Sequence, residues 1–85
     1  MIAAIQRLID REANLPLPAS RLTPSVDLFA LGMTSYGAVL LLVAIEHEFE
    51  IEFPHGALRR ETVRSIGAIV QALEAARTPH SPLRV

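Results

Sequence analysis

Few residues in this 85-residue chain can do chemistry, and the most conspicuous is a serine, Ser35, within "DLFALGMTSYGAV", Asp27 to Val39. It directly precedes an almost unbroken apolar run. The histidines are His47, His55 and His80, and Glu46, Glu48, Glu50 and Glu52 alternate behind the run. A nucleophilic serine needs a base within hydrogen-bond reach and a third group that orients that base. If a helix starts at Thr34 or Ser35, His47 lies on the same helix roughly 18 Å from Ser35 at the standard rise, too far to be that base. His80 falls among the prolines at the end of the chain, and no GxSxG elbow surrounds Ser35. Only the fold could bring His55 and Asp27 close. Hydrolysis is disfavoured, and no catalytic residue is assigned.

Metal chemistry fares no better. With no cysteine, disulfides, thiolate metal sites and cysteine nucleophiles are excluded. No histidine pair sits at i, i+4, and the spacing of Glu48, Glu50 and Glu52 across a helix end need not converge, so no metal site is expected. Gly32 alone cannot build a glycine-rich phosphate cradle. One asset remains at Ser35: a phosphate on its oxygen would meet free amide hydrogens and the positive end of a helix dipole. Spacing leaves two readings open, a helix cap and a modified hydroxyl.

Positioning these residues falls to a few short elements. Ile2, Ile5, Leu8 and Ile9 recur at helical spacing and predict an amphipathic helix that stops near Ala13. From Asn14 to Met33, Pro16, Pro18 and Pro24 remove backbone donors and bias their predecessors away from helix. A loop of that length should be pinned by its apolar residues, Leu15, Leu17, Leu22, Val26, Leu28 and Phe29, or be functional. Thr34 and Ser35 are both good caps for a second helix running to about Phe49. In it Ala38, Leu41, Leu42, Ile45 and Phe49 form one apolar stripe, and Tyr36, Val39, Leu40 and Val43 form a second. A helix apolar nearly all round is either fully buried, here against the long loop, or covered by a partner. "IEFPHG" reads as an extended loop whose Ile51 and Phe53 dip into the core, and Leu58 as part of one short helical turn. Thr62 then caps a last helix with Val63, Ile66, Ile69, Val70 and Leu73 on its inner face, ending by Arg77. Leu41, Ile45, Phe49, Ile66 and Leu73 are expected to be buried and Ser35 exposed.

The predicted fold is all-α: a small bundle of three main helices plus one short helix, with a long loop between the first and second. One domain spans residues 1–77 and a flexible tail 78–85. Hydrophobic residues make up 51% of the chain and charged residues 20%, a globular composition. A net charge of −1 argues against nucleic acid as a partner. The charges are unevenly placed: residues 34–53 hold glutamates without a basic residue, whereas residues 54–85 hold five arginines against Glu61 and Glu74. The apolar run Val39 to Ile45 falls well short of the roughly 18 residues of a membrane span. No basic, apolar leader follows Met1, so a cytoplasmic protein that does not enter a membrane is expected.

The block "VDLFALGMTSYGAVLLLVAIEHEFEIEFP", Val26 to Pro54, resembles the core of acyl and peptidyl carrier proteins, in which a serine opening the second helix carries 4'-phosphopantetheine. Asp27, Leu28 and Gly32 match that family's loop pattern, "AIEHEFEIEFP" its exit from the helix, and "ETVRSIGAIVQAL" its last helix. The resemblance covers about residues 2–76 and is nearer to the small discrete aminoacyl carriers of bacteria, with "DLYxxGxTS" and an "SI" pair like Ser65-Ile66. Thr34 stands where the family usually has aspartate, Tyr36 where it has leucine, and Gly37 and Leu40 where fatty-acid carriers have acids. What the resemblance implies is carriage, not catalysis. Ser35 would receive the arm from coenzyme A through a phosphopantetheinyl transferase, and Thr34, Tyr36, Val39, Leu40 and Val43 would form the docking surface. The further partners would be an ATP-dependent acyl or amino acid ligase and a downstream acyltransferase or synthase, met by a monomer. The alternative is a non-enzymatic helical interaction module in which Ser35 is only a helix cap.

Overall fold

The computed structural model describes residues 1–53 and 60–77. Three helices follow one another: α1 (Ile2–Glu12), α2 (Ser35–Phe49) and α3 (Ile66–Arg77), with 3-10 turns at Ala19–Arg21 and Arg60–Val63. No strand occurs among the described residues. The all-helical class read from the periodicity is the observed one.

Each helix buries the stripe its spacing defines. Ile5, Leu8 and Ile9 of α1 meet Leu41 and Ile45 of α2 and Ile69 and Leu73 of α3, all essentially without solvent exposure. No polar or charged residue is buried among the described residues, so the core needs no internal hydrogen-bond partner. Phe49 departs from expectation. It is only partly buried, because it is the last residue of α2 and the chain turns away at Glu50, whose φ of 53° is left-handed. Beyond the turn Phe53 is buried, and its N–H donates to the Glu46 carboxylate at 2.8 Å. A charged side chain of α2 thus holds the exit segment against the core.

The connection from α1 to α2 is pinned at several points. Asn14 turns the chain in the left-handed region (φ 55°), where asparagine is tolerated. Asp10 of α1 then accepts the Ala19 N–H at 2.8 Å, so the first 3-10 turn is stapled back onto α1 and Ala19 is fully buried. Leu22 and Leu28 enter the core, while Leu15, Val26 and Phe29 pack on it partly exposed. Leu17 is the exception. It lies beside Pro16 and Pro18 and stays exposed, so it pins nothing.

The last helix opens later than its apolar pattern suggests. Ser65, not Thr62, is its cap, accepting the Ala68 N–H at 3.1 Å, and Val63 reaches the core from the preceding 3-10 turn. Two serine or threonine candidates three residues apart, each ahead of an apolar residue, look equivalent in a one-dimensional pattern. Tertiary bonding distinguishes them: the Gly67 N–H donates to the Pro24 carbonyl at 2.9 Å, fixing the first turn of α3 on the loop. A Cβ on Gly67 would approach that same oxygen to 3.2 Å. The short turn expected around Leu58 and the tail at residues 78–85 lie outside the described residues.

Candidate functional site

The approach to Ser35 is a tightly bonded turn. Asp27 Oδ1 accepts the Phe29 N–H at 2.9 Å and, more weakly, the Ala30 N–H at 3.4 Å, while Oδ2 takes the Arg64 Nε–H at 3.1 Å. Partial shielding from water pushes the Asp27 carboxyl up. The Arg64 hydrogen bond, the two backbone amides and the charge of Arg64 together outweigh it, and the pKa is lowered below its ordinary 3.8. The Leu28 N–H donates to the Arg64 carbonyl at 2.7 Å, and the Leu28 carbonyl accepts from Leu31 and Met33 at 3.1 Å each. Gly32 closes the turn with φ 118°, a conformation that a side chain would strain. "D-L...G" is therefore a device that aims the chain into α2.

At the start of α2 the structure separates two roles that the sequence left merged. Thr34 is the cap: its backbone is extended (φ −86°, ψ 165°) and its Oγ1 accepts the Gly37 N–H at 2.9 Å. Ser35 is the first helical residue. It is exposed, and its hydroxyl makes no hydrogen bond among the described residues. The cap-only reading of Ser35 is thereby overturned. A hydroxyl that the fold does not use stands instead at the positive end of the helix, where an anion attached to it is favoured. These features fit the phosphate of a covalent arm.

Among the described residues, no candidate partner is free to serve Ser35 as a hydrolytic base. Asp27 is engaged by two amides and Arg64, and His47 lies near the opposite end of α2. His55 and His80 lie outside the described residues. No group of three or more metal-ligating side chains occurs among the described residues.

Gly37 explains one departure from the fatty-acid carriers. It is buried where α2 meets the end of α1, and a Cβ there would lie 3.3 Å from Thr34 Oγ1 and 3.4 Å from the Glu12 carbonyl. An acid at this position would push α1 away.

The second apolar stripe faces out. Tyr36 is 74% exposed, Val39 57% and Val43 56%, with Leu40 half-buried between them and Thr34 exposed at the head. The alternative in which the stripe packs under the long loop does not hold for Tyr36, Val39 and Val43. Beside it, between α1 and α2, Leu40, Val43 and Ala44 floor an open groove of about 290 Å³. Ion pairs Arg11–Glu12 (2.9 Å) and Arg7–Glu48 (3.1 Å) flank this side of the bundle. Among the described residues, no helix is long and apolar enough to cross a membrane.

Sequence reasoning missed Arg60, whose guanidinium stacks over the Phe29 ring with its carbon 4.3 Å from the centroid, and Arg64 as the partner of Asp27. The excess of arginines after residue 54 was the signal, but it does not say which ones return to the loop.

Comparison with known proteins agrees with this geometry. Residues 3–73 match the family described as "Phosphopantetheine attachment site". An aminoacyl carrier protein of Agrobacterium fabrum is 38% identical over 69 residues, 81% of this chain and 83% of that protein. A chain in the crystal structure of an engineered Bradyrhizobium japonicum glycine:[carrier protein] ligase, complexed with carrier protein from Agrobacterium tumefaciens and AMP, superposes with a TM-score of 0.84 at 35% identity. That match covers 87% of this chain and 99% of the other. A solution structure from Agrobacterium tumefaciens gives a TM-score of 0.66 at 35% identity, covering 88% and 90%. With the match running from the first helix to the last, the chain belongs to the phosphopantetheine attachment-site family and is a phosphopantetheine-bearing carrier, similar to the aminoacyl carrier proteins.

Proposed function

We propose that Ser35 is the residue that takes the 4'-phosphopantetheine arm, and that the protein carries an aminoacyl or acyl group between partner enzymes without catalysing a reaction itself. The observation that carries this reading is the exposed Ser35 hydroxyl, free of hydrogen bonds, on the first helical residue, next to a threonine that already caps the helix. Capping and modification need not compete for one oxygen.

In the transfer step Ser35 Oγ displaces adenosine 3',5'-bisphosphate from the pantetheine-side phosphorus of coenzyme A, and its proton passes to a base of the phosphopantetheinyl transferase. Magnesium belongs to that enzyme. The amides at the start of α2 and the helix dipole then favour the new phosphodiester. Once attached, the arm supplies the thiol that this cysteine-free chain lacks, and the thiol holds the cargo as a thioester.

Thr34, Tyr36, Val39, Leu40 and Val43 form the docking surface, since exposed apolar side chains in a row on one helix are explained by partners that cover them. The carrier of Agrobacterium tumefaciens found with a glycine:carrier protein ligase supports an ATP-dependent amino acid ligase as the loading partner, followed by a downstream acyltransferase or synthase. The working unit is a cytoplasmic monomer, a carrier domain over residues 1–77 followed by a tail at 78–85. The short fourth helix of such a bundle belongs to this reading, its expected place around Leu58 lying outside the described residues.

Incubation with coenzyme A and a promiscuous phosphopantetheinyl transferase tests the reading. One arm per chain is expected by intact mass, and none on Ser35→Ala. An unchanged mass of the unaltered protein, alongside a control carrier that is modified, would overturn it.

A further inference from the structure

The second stripe of α2 has no charged side chain of its own, since none occurs between Thr34 and Ile45. Carriers that rely on acids along this helix obtain steering and register from them; this one must obtain them elsewhere. The 3-10 turn Arg60–Val63 packs against α2, and the Arg60 guanidinium carbon lies over the ring of Phe29, in the turn that leads into Ser35. Leu28, next to Phe29, is hydrogen-bonded both to Arg64 and to Met33, so Arg60 stands on the rigid frame that delivers Thr34 and Ser35.

Arg60 differs from its neighbour Arg64 in what it leaves unused. Arg64 is paired with Asp27 at 3.1 Å, whereas Arg60 has no carboxylate partner among the described residues. Stacking on Phe29 occupies the face of the guanidinium and leaves its in-plane N–H donors open, a fork suited to two oxygens of one carboxylate. Phe29, Arg60, Glu61 and Arg64 line a shallow cleft of about 180 Å³. Among the described residues that line the cleft Glu61 is the one acid, and Asp27, which pairs with Arg64, is already committed.

We propose that Arg60, held on Phe29, is the charged anchor of the docking surface, and that the loading ligase meets it with a carboxylate. The electrostatic polarity of docking is then the reverse of that in carriers with an acidic second helix. The inference rests on the carrier reading above. A cation on a turn that packs against α2 sets orientation and encounter rate, while the uncharged apolar stripe supplies the buried contact. Glu61 opposes the incoming carboxylate and moderates the attraction.

The test is steady-state loading of the arm-bearing protein with glycine by the Bradyrhizobium glycine:carrier protein ligase, with the carrier as the varied substrate. Arm attachment is first verified by mass, so failure of the carrier reading appears at that step and not at loading. Arg60→Glu is expected to lower kcat/KM about tenfold, mainly through KM, and to remove most of its dependence on ionic strength. Arg60→Ala should fall between, Arg60→Lys should retain the salt dependence in part, and Glu61→Gln should raise kcat/KM slightly. Arg21→Glu, the same charge change on an exposed residue of the other 3-10 turn, should load like the unaltered protein. Thermal unfolding of each variant controls for folding. The proposal is overturned if Arg60→Glu loads normally, if Arg21→Glu slows loading equally, or if the unaltered arm-bearing protein is not loaded at all. A phosphorus resonance that moves in Arg60→Ala while loading stays normal would assign Arg60 to the arm's phosphate and equally overturn it.

Discussion

Thr34 and Ser35 are chemically alike and adjacent, yet the fold gives them opposite tasks. Thr34 Oγ1 is consumed by the Gly37 amide, so Thr34→Ala should cost about 1 kcal/mol in chemical denaturation. Ser35 makes no such bond, and the cap penalty that its sequence position suggests should be missing from Ser35→Ala, which should unfold within about 0.5 kcal/mol of the unaltered protein. No propensity scale separates two good cap residues in a row; the difference lies in which one keeps extended backbone angles. Asp27 is the other residue with a measurable signature. Its pKa is lower folded than unfolded, so its contribution is present above about pH 4, the unfolded value, and is lost as pH falls through the folded one. Arg64→Ala removes the strongest of the lowering interactions. The resulting loss of stability, small because the pair is partly exposed, should be present at pH 7 and disappear in acid, so the denaturation midpoints of the two proteins, followed by circular dichroism, should converge as pH falls through the Asp27 pKa.

At the scale of elements, α1 and the body of α3 were legible because their apolar residues recur at three and four, and Ile5, Leu8, Ile9, Ile69 and Leu73 are buried as that pattern requires. What escaped was decided by contacts between distant segments. Ser65 takes the cap from Thr62 where α3 docks on Pro24, and Arg60 finds Phe29 about thirty residues back along the chain. Residues that approach only in three dimensions leave no periodic trace. Gly37 is a similar case: as a sequence symbol it marks a missing acid, but in the bundle it is the space through which α2 passes the end of α1. Gly37→Val should force Thr34 and the Glu12 carbonyl apart and lower stability by about 1–3 kcal/mol, read from the denaturation midpoint. A midpoint unchanged by this substitution would mean that the two helices are not in close contact there.

For the molecule as a whole, the core and the proposed docking surface occupy different sides of one helix. The inner stripe of α2 closes the core with α1 and α3, and the outer stripe contributes little to it, so Tyr36→Ala together with Val39→Ala should leave the unfolding midpoint nearly unchanged. The same pair should reduce loading by the glycine:carrier protein ligase at least tenfold, through KM for the carrier. Equal losses of stability and loading would instead identify the stripe as core. Loading depends on one proposed attachment point, and the most direct measurement is tandem mass spectrometry that locates the added arm after incubation with coenzyme A and transferase. The account predicts a single 4'-phosphopantetheine on Ser35. An arm on neighbouring Thr34 or elsewhere, or no arm while a control carrier is modified, would contradict it.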